Sequence, residues 1–539
     1  MEQTRFMGDK ILNFFKHLSV IKRVLLGIIT LLVIGYIFCL PRQLFHVPYS
    51  TVVTDRNGEL LGARIASDGQ WRFPPRKTTP EKIRQCLITF EDKNFYYHWG
   101  VDPLSIGRAT YQNLKNKRIV SGGSTLTMQT IRLARHESRT FGEKVIEMIL
   151  ATRLEFRASK EEILSMYVSH APFGGNVVGL DAASWRYFGH STEDLSWAES
   201  AMLAVLPNAP AIIHLSKGRK TLLAKRNRLL KQLLDKEIID SSTYELAVSE
   251  PLPDEPHPQI APHLVSRFYQ ERNGRYSRTT IDKGMQTHIE DLAERWSNEF
   301  NRSDIRNLAI LVIDIPSSQV VAYCGNVHFD RKQGGNQVDV IQAPRSTGSI
   351  LKPFLYYAML QEGSMLPDML LPDVPVNING YTPQNFSMQY EGAVPASEAL
   401  ARSLNIPAVT MLQRYGVPKF HNFLQQIGFK TISRPSSHYG LSLILGGAEA
   451  TLWDVTNAYA QMGRSLVTGH SDSETPVSSK EAEARMIVEE DTKNRAVQHK
   501  SIWDKGAVWQ TFNALKEVNR PEEIDWKAIP SMQPVAWKT

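Results

Sequence analysis

The apolar positions of this chain follow three patterns, and each predicts a different kind of structure. Residues 24–40, VLLGIITLLVIGYIFCL, contain no charged side chain. Extended back to Ser19, they predict a helix that can span a bilayer core of about 30 Å. Between residues 79 and 245 apolar positions recur at helical spacing. Beyond residue 306, β-branched runs and helical patterns both occur, which predicts an α/β region.

The residues that flank the apolar run favour an uncleaved membrane anchor. Residues 1–23 carry five basic and two acidic side chains, and this positive bias predicts a cytoplasmic tail. A secretory signal peptide is the alternative, but it would have a shorter apolar core and small residues at its cleavage site. Leu40-Pro41-Arg42 offers no such residue. We therefore predict a single transmembrane helix, with the remaining chain outside the cytoplasm.

Helix-start signals recur between residues 79 and 245 and predict a helical domain. Thr79 is expected to cap a helix that begins at Pro80 and ends at Glu91 and Asp92. Two further helices are predicted from Ser-x-x-Glu capping boxes, Ser159 with Glu162 and Ser196 with Glu199.

Two hairpins are predicted on either side of this helical domain. Residues 51–65, TVVTDRNGELLGARI, carry β-branched positions before an Asn57-Gly58 turn. Residues 308–323, LAILVIDIPSSQVVAY, contain two β-rich runs joined by Pro-Ser-Ser. The second hairpin is expected to open the α/β region.

These patterns divide the chain into six segments. We predict a cytoplasmic tail (1–23), a transmembrane anchor (24–40), a juxtamembrane β segment (41–78), a helical domain (79–245), a linker region (246–305) and an α/β domain (306–539). The linker region contains the proline-rich run 251–262. Residues 471–495 are polar and acidic without apolar periodicity, and we expect them to form a long surface loop.

Composition and charge narrow the classes of partner. The 539 residues are 42% hydrophobic and 22% charged, which suffices for the cores of two or three domains. The net charge of +7 without a dense basic run suits lipid headgroups or phosphates and argues against nucleic acid. Cys39, Cys86 and Cys324 show neither disulfide nor metal-site spacing. No metal site is predicted.

Two short blocks concentrate residues suited to chemistry. EDKNFYYHWG, residues 91–100, contains two carboxylates, a histidine and four aromatic residues. GGSTLTMQ, residues 122–129, is a glycine- and hydroxyl-rich turn that leads into a helical pattern. Such residues pack poorly into a core, and together they predict a cleft that binds a polar, charged substrate and moves a proton.

With KEEILSMYVSHAPFGG, residues 160–175, these blocks resemble the signature blocks of peptidoglycan glycosyltransferases, the lysozyme-like domain of class A (bifunctional) penicillin-binding proteins. The resemblance covers about residues 60–235. It implies a mainly α, lysozyme-like domain that polymerises lipid II into glycan strands with inversion at the anomeric carbon. In that reaction a carboxylate takes the proton of an acceptor hydroxyl, while cations and amides meet the leaving diphosphate. No cofactor is required, although a divalent cation that bridges the diphosphate is compatible with this chemistry.

The resemblance also implies roles for single residues. Glu91 would be the general base, its pKa raised by the neighbouring aromatics Phe95, Tyr96 and Tyr97, and Glu147 a second catalytic residue. The residues implied to bind substrate are Asp92, His98, Ser124, Thr125, Gln129, Arg132 and Lys144. His98 fits a core histidine equally well, and Lys144 with Glu147 also fits a solvated ion pair one helical turn apart.

Three positions depart from the family pattern. In the third block, RTFGEKVIEM, Glu143 replaces an arginine, and Arg139 is a candidate substitute for the lost cation. Ser169 replaces the usual asparagine of the fourth block. Arg132 stands where the family usually has lysine, which keeps the charge and adds a fork suited to phosphate. Weaker donor binding is the expected consequence of the first change.

A second chemistry is indicated by RSTGSILKPF, residues 345–354. Ser349 and Lys352 form a Ser-x-x-Lys motif, which on a helix places hydroxyl and amine on one face, where a desolvated lysine can deprotonate the serine. The motif alone is weak, because residues 19–22 also fit it. Context favours the later copy, since it follows a hairpin and is itself followed by Ser403-Leu404-Asn405.

Together with GYTPQNF (380–386) and residues 439–460, these motifs resemble the penicillin-binding transpeptidase domain, most closely that of the 1C type. The resemblance implies an α/β fold, an antiparallel sheet with helices, that acts on stem peptides and is acylated by β-lactams. By the match, Ser349 is the nucleophile and Lys352 the acylation base. Ser403 and Asn405 would relay protons and hold the substrate amide.

The third transpeptidase motif, Lys-Thr/Ser-Gly on an edge strand, is matched only by Lys538 and Thr539, the last residues of the sequence. Both would bind substrate in a complete domain, whose strand also contributes to the oxyanion hole. We expect an incomplete sheet with an unsatisfied edge, exposed apolar surface, a frayed Lys538-Thr539 terminus and weak or absent transpeptidation.

Two alternatives to the synthase hypothesis remain open. A lysozyme-like fold with a catalytic glutamate also suits a murein hydrolase, although the cations around a diphosphate site argue against it. The departures Glu143 and Ser169 also suit a non-catalytic membrane scaffold or penicillin sensor. Lipid II, glycan strands and stem peptides are the partners that the synthase hypothesis implies, and other cell-wall synthesis proteins are compatible with it. The implied location is the bacterial inner membrane.

Overall fold

The computed structural model describes residues 20–116, 122–138, 140–208, 218–253, 259–328, 335–378, 380–467, 484–488, 502–517 and 533–539. The chain divides into two compact units. The first comprises Met1–Val52, Ala63–Pro258 and Arg272–Tyr276, and the second comprises Val53–Gly62, Gln259–Glu271 and Ser277–Thr539. Arg139 and most of the predicted surface loop, 471–483 and 489–495, lie outside the described residues.

Up to residue 258 the described chain is mainly helical. Its helices are α1 Val20–Phe38, α2 Glu81–Glu91, α3 Pro103–Lys115, α4 Leu126–Arg135, α5 Phe141–Glu155, α6 Lys160–His170, α7 Leu180–Tyr187, α8 Trp197–Val205, α9 Arg219–Asp235 and α10 Ser241–Ser249. Its strands are β1 Thr51–Thr54, β2 Leu60–Arg64, β3 Trp71–Arg72, β4 Pro172–Gly174 and β5 Val177–Val178. The last three form a small sheet in the order β3-β5-β4.

Helix α8 forms the centre of the first unit. Every residue from Ala198 to Leu206, except Glu199, is an apolar or small residue that is buried. Helices α2 and α9 pack against it. The apolar face of α2 includes Ile83 and Leu87, both almost fully buried. Because this face is anchored in the core, the C-terminal end of α2 has a fixed position in the unit.

Helix starts in this unit mostly follow the predicted capping signals. Both Ser-x-x-Glu capping boxes are confirmed, since each serine side chain and each glutamate side chain bonds the other residue's backbone amide. The predicted cap at Thr79 is wrong. Pro80 occupies the N-cap position of α2, and the buried Thr79 hydroxyl finds no partner among the described residues.

The helix α1 is the one helix of the described chain that is long and apolar enough to cross a membrane. Its C-terminal end contacts α5, since Tyr36 Oη donates to Thr152 Oγ1 at 3.0 Å and Arg153 Nε donates to the Ile37 carbonyl at 3.1 Å. Arg157 also donates to the Pro41 carbonyl. The helix ends at Phe38, two residues before the predicted end of the anchor.

From residue 259 onwards helices and short strands are mixed. The helices are α11 Pro262–Glu271, α12 Lys283–Phe300, α13 Lys352–Gln361, α14 Ala396–Ala401, α15 Asn405–Tyr415, α16 Val417–Gln426, α17 Ser436–Tyr439, α18 Leu452–Val467 and α19 Lys505–Lys516. The strands are β6 Tyr276–Arg278, β7 Ile310–Asp314, β8 Gln319–Cys324, β9 Arg345–Ser346, β10 Leu370–Asp373, β11 Gly392–Pro395 and β12 Glu449–Ala450. Helices α11 and α12 lie within the predicted linker region, 246–305, so that region is not merely extended chain.

Both predicted hairpins are confirmed. β1 and β2 are neighbours in the sheet β2-β1-β6, and Gly58 adopts a φ of 92° in the turn between them. The Asp55 carboxylate stabilises this turn by accepting from the amides of Asn57 and Glu59 at 2.7 and 2.8 Å. β7 and β8 pair in antiparallel register.

The edge of β8 is covered by a segment that the sequence placed in a surface loop. The Val320 amide donates to the Arg485 carbonyl, and the Arg485 amide donates to the Ser318 carbonyl. Met486 is 9% exposed and packs with Trp453 in a common apolar cluster. The loop prediction is therefore wrong for residues 484–488, Ala-Arg-Met-Ile-Val, because apolar side chains among them join this cluster and their backbone pairs with β8.

An aromatic cluster forms the main core around α13. Phe354 packs against Phe429, Tyr459 and Trp503, with ring centroids 5.6, 4.6 and 6.3 Å apart. Helices α15 and α19 border α13. The first turn of α13 therefore lies at the edge of a rigid apolar core.

Candidate active sites

The first candidate site lies where α2 ends. Glu91 is the last residue of α2 and is partly exposed. Gln129 of α4 donates from Nε2 to Glu91 Oε2 at 2.8 Å, and Arg132 Nη2 donates to Gln129 Oε1 at 3.4 Å. The three residues form a hydrogen-bonded row along one face of α4. Gln129 therefore contacts the carboxylate itself, a role that is additional to the predicted substrate binding.

Asp92 and His98 bond each other instead of presenting free polar atoms. Both side chains are buried, and His98 Nε2 lies 3.0 Å from Asp92 Oδ2. The Gly100 amide donates to His98 Nδ1 at 3.1 Å, so Nδ1 is an acceptor and Nε2–H donates to Asp92. Asp92 Oδ2 also accepts from the Leu126 amide at 2.9 Å. This geometry favours positioning of α4 by both residues rather than the predicted contact with substrate.

The glycine-rich turn approaches α3 closely and then starts α4. A Cβ at Gly123 would lie 2.9 Å from the Cα of Ile106, so only glycine fits this position. Thr125 is the N-cap of α4, where its hydroxyl accepts from the Met128 amide and donates to the Gly100 carbonyl at 2.6 Å. Thr125 is thereby engaged as a cap, whereas Ser124 is partly exposed and remains a candidate for substrate contact.

The third block lies on α5 beside α4. Lys144 is exposed and Glu147 is buried, so the pair is not equally solvated. Glu143 forms an ion pair with Arg135 of α4, and Arg135 Nη2 donates to Glu143 Oε2 at 3.2 Å. The hydrogen bond to Glu143 raises the pKa of Arg135, and the charge of Glu147 contributes to this rise. The residue that replaces the family's arginine therefore neutralises a cation at this site.

Two residues of the fourth block border the site, although sequence reasoning predicts no role for them there. Tyr167 of α6 is 1% exposed, its hydroxyl has no partner among the described residues, and burial together with the charge of Glu91 raises its pKa. Lys160 Nζ donates to the His98 carbonyl and to Glu155 Oε1, each at 2.8 Å. Their membership of a signature block was the signal that pointed to them.

The expectation that three aromatic residues desolvate Glu91 does not hold for all of them. Phe95 is buried and packs on Tyr96 and His98, but Tyr97 is 88% exposed and cannot desolvate a neighbouring carboxylate appreciably.

Ser169 is buried and accepts from the Arg76 amide at 3.3 Å, so it holds the segment that precedes α2 in place. Over the described ranges, no group of three or more His, Cys, Asp or Glu residues could hold a metal ion.

The second candidate site lies at the start of α13. Ser349 lies in the turn before α13, and Lys352 is the first residue of the helix. Pro353 has no amide hydrogen for the Ser349 carbonyl, which instead accepts from the Lys352 amide at 3.2 Å. The prediction that serine and lysine share one helix is therefore wrong for Ser349. Both residues still lie within a single turn of chain.

The Lys352 amine is almost completely buried among oxygen atoms. Lys352 is 1% exposed. Nζ donates to the Ser403 carbonyl at 2.7 Å and to Asn405 Oδ1 at 2.8 Å, with Ser403 Oγ and the Leu404 carbonyl at 3.3 Å. Burial and the positive charge of Lys538 lower the pKa of Lys352 to about 7. The amine can therefore give and take a proton near neutral pH.

Ser403, Asn405 and Lys538 converge on this amine. Ser403 has a φ of 56°, a strained value for a residue with a side chain. Lys538 Nζ donates to Ser403 Oγ at 2.8 Å and to the Thr539 carbonyl at 2.7 Å. Burial lowers the pKa of Lys538 to about 8. The expected fraying is thus contradicted for Lys538, whose amine bonds Ser403 of the Ser-x-Asn motif, while Thr539 is exposed and bonds Lys538.

Comparisons with known proteins find a family domain around each candidate site. A transglycosylase family model matches residues 57–234, and a penicillin binding protein transpeptidase domain model matches residues 308–539. The chain is 34% identical to penicillin-binding protein 1C of Escherichia coli over 502 residues, 93% of this chain and 62% of that protein. It is 29% identical to penicillin-binding protein 1F of Bacillus subtilis over 450 residues, 79% of this chain and 60% of that protein.

The chain thus spans about three fifths of the length of these curated relatives. The two family domains follow each other in the order that the sequence motifs predicted. The resemblance of both sets of motifs is confirmed by the domain matches and by the similarity to penicillin-binding protein 1C. The chain belongs to the class A penicillin-binding proteins.

Proposed function

We propose that this chain is a peptidoglycan synthase whose first domain polymerises lipid II by inverting glycosyl transfer. The observation that carries the proposal is the row Glu91, Gln129 and Arg132, which places a carboxylate and a cation along one face of α4. A general base and a diphosphate-binding cation are the two groups that this reaction needs.

The bond changes of the proposed step are as follows. A sugar hydroxyl oxygen of the acceptor attacks the anomeric carbon of the donor, and its proton passes to the carboxylate of Glu91. The bond between that carbon and the lipid diphosphate breaks, and the diphosphate leaves with the electron pair. Arg132 and the exposed Lys144 would meet the charge that develops on it. Glu147, buried on the same helix as Lys144, completes the proposed set.

The second domain supplies the proposed acyl-transfer site. Ser349 Oγ would attack the substrate carbonyl, and its proton would pass to the buried amine of Lys352. The carbonyl–nitrogen bond of the substrate would break, and Lys352 would return the proton through the Ser403 hydroxyl to the leaving amine, while Asn405 holds the substrate amide. An acceptor amine would then attack the Ser349 ester, which forms the new amide bond and restores the serine hydroxyl. Stem peptides are the proposed natural substrates and β-lactams the proposed inhibitors. Acylation of Ser349 by a labelled penicillin tests both this proposal and the weak activity expected from the sequence.

The anchor α1 supports a location at the bacterial inner membrane. Its length and apolar composition suit a single crossing, and we propose a cytoplasmic N-terminus with both domains on the outer side of that membrane. A membrane-impermeant reagent added to intact spheroplasts should modify exposed lysines of the domains, such as Lys419, without prior lysis. Protection of these lysines until lysis would contradict the orientation.

The decisive experiment gives lipid II to the purified full chain and follows polymer by gel electrophoresis. We expect Glu91→Gln to reduce polymerisation by about 10²- to 10⁴-fold, since the base is removed while its size is kept. Glu81→Gln is the matched control, because Glu81 is an exposed carboxylate at the other end of the same helix. Unchanged polymerisation by Glu91→Gln would contradict the proposed role of Glu91 as the general base. Release of soluble fragments from finished murein would instead indicate a hydrolase, and failure to bind lipid II would indicate a scaffold.

A further inference from the structure

The loop between β10 and β11 contacts the start of α15, which carries Asn405. Asn385 lies in this loop and is 3% exposed. Its Oδ1 accepts from the amides of Asn405 and Ile406 at 3.0 and 3.4 Å. These are the first two amides of α15, and they have no partners within the helix. The N-cap residue Leu404 has no side chain that could bond them. Asn385 therefore caps α15 from a distant part of the chain.

Asn385 is itself held by a buried carboxylate. Its Nδ2 donates to Asp373 Oδ1 at 2.7 Å and to the Gln389 carbonyl at 3.0 Å. Asp373 ends β10, is 1% exposed, and accepts from the Glu391 amide at 3.1 Å. All hydrogen-bonding groups of the Asn385 amide are engaged, so its orientation is fixed. The negative charge of Asp373 also favours the amide orientation that offers Oδ1 to the positive end of the α15 dipole.

The same network reaches the lysine of the second site. Asn405 Nδ2 donates to the Gln384 carbonyl at 2.8 Å, and Asn405 Oδ1 accepts from Lys352 Nζ at 2.8 Å. The loop thus fixes both the backbone and the side chain of Asn405. A continuous chain of hydrogen bonds runs from Asp373 through Asn385 and Asn405 to Lys352.

We propose that Asp373 and Asn385 are positioning residues for acyl transfer, which hold Asn405 and, through it, the amine of Lys352 in the geometry that deprotonates Ser349. This inference rests on the acyl-transfer activity proposed above. Asp373 and Asn385 do not touch the reacting atoms and act only through Asn405. Without Asn385 as a cap, the strained backbone at Ser403 and the orientation of the Asn405 side chain are no longer stabilised. Lys352 Nζ then loses its hydrogen bond to Asn405 Oδ1, one of its two shortest bonds.

An exchange of the two side chains separates positioning from general stability. Asn385→Asp keeps the acceptor for α15 but sets two carboxylates against each other. Asp373→Asn removes the carboxylate that accepts from Asn385 Nδ2 and sets two side-chain amides against each other. The double variant Asp373→Asn with Asn385→Asp restores one carboxylate and one amide in reversed order. The acceptor for α15 and the bond between the two side chains are then both present, although the Gln389 carbonyl loses its donor.

The rate of Ser349 acylation by a fluorescent penicillin is the first readout. We expect each single variant to acylate about 10- to 100-fold more slowly than the original chain, and the double variant to recover at least tenfold over Asn385→Asp. Asn457→Asp is the matched control, since this buried amide of α18 bonds the Trp453 carbonyl and the Ala484 amide instead. Thermal unfolding of all variants shows which losses are merely structural. Wild-type rates in both single variants, or a double variant no faster than the singles, would overturn the proposal.

A second readout does not depend on acyl transfer. A carbon-13 NMR titration of protein labelled at lysine Cε, with the Lys352 signal assigned by its loss in Lys352→Met, reports the proton affinity of this buried amine. The charged group that faces this amine is Lys538, whereas its other neighbours Ser403, Leu404 and Asn405 are uncharged. We expect the single variants to move the midpoint and the double variant to return it toward that of the original chain. If the original chain is not acylated, the proposed activity fails, and this midpoint alone decides whether the loop positions Lys352: unmoved midpoints would overturn the inference.

Discussion

The two candidate sites hold their reactive groups in opposite ways. Glu91 lies at the end of a helix, partly exposed, with one amide side chain donating to it. Lys352 is buried at the start of a helix and bonded to four oxygen atoms of a single segment. The proton affinity of the lysine is therefore set by the folded protein before substrate arrives. The Glu91 carboxylate instead lies at a partly exposed helix end, where the proposed substrate can approach it.

The largest expected effect tests whether the two sites are independent. Lys352→Met should reduce acylation of Ser349 by about 10²- to 10⁴-fold, because the proposed base is lost, while polymerisation of lipid II continues. Labelled-penicillin time courses and polymer gels on the same preparation measure both. Lys419→Met is the control, since Lys419 is an exposed lysine that pairs with Glu362. Parallel loss of both activities would contradict the separation of the sites.

A smaller loss is expected at the first site when the amide that contacts Glu91 is removed. Gln129→Leu deletes the donor to Glu91 and the acceptor for Arg132. Polymerisation should fall about 10- to 100-fold, the usual effect of losing a hydrogen bond to a charged group. Gln85→Leu is the matched control, since Gln85 donates to the exposed Glu81 in the first turn of α2. Polymerisation within twofold of the original chain would show that Glu91 does not need this partner.

The buried site should also show a pH dependence. Burial and the charge of Lys538 lower the pKa of Lys352 to about 7, so the unprotonated base is lost as pH falls below this value. Acylation should decline about tenfold per pH unit below 7 and level off above it. Lys538→Met removes the repulsion and should move the midpoint to higher pH. Rates measured from pH 5.5 to 9 check both statements, and a flat profile across pH 7 would remove Lys352 from the role of base.

The smallest effect concerns the departure at Glu143. Glu143→Gln breaks the ion pair with Arg135 and frees a cation beside α5. We expect lipid II binding to tighten by about two- to fivefold at low salt, because exposed ion pairs contribute little and are screened by salt. Binding of a fluorescent lipid II analogue over a salt series measures this change. Glu137→Gln provides the control, since it removes a nearby negative charge that acts on Arg135 without that hydrogen bond. Equal tightening by both variants would indicate a general charge effect.

Short-range signals predicted much of this fold correctly. The capping boxes at Ser159 and Ser196, the turn at Gly58 and the position of Glu91 at a helix end depend on a few neighbouring residues, which is why sequence alone reveals them. The predicted cap at Thr79 failed by one residue because Pro80 itself takes the N-cap position. Helix boundaries are the least certain part of such predictions.

Features that depend on distant partners were not predictable in the same way. From sequence, His98 fits a core position and a site position equally well. The structure distinguishes the two, because the Gly100 amide and Asp92 engage both nitrogens of the His98 ring. The polar, acidic composition of residues 471–495 predicts a loop at Met486, whereas its burial depends on a cluster of residues far away in sequence. Asn385 lay in a recognised motif, but its contact with α15 spans twenty residues of chain.

The junction between α1 and α5 has a consequence for how the proposed synthase meets its donor. Tyr36 and Arg153 join the end of the anchor to the helix that also carries Glu147. Sugar transfer would then occur at a constant height above the bilayer, and each donor would arrive by lateral diffusion in two dimensions. The rate of strand growth would accordingly follow the mole fraction of lipid II in the membrane rather than its concentration in the surrounding volume.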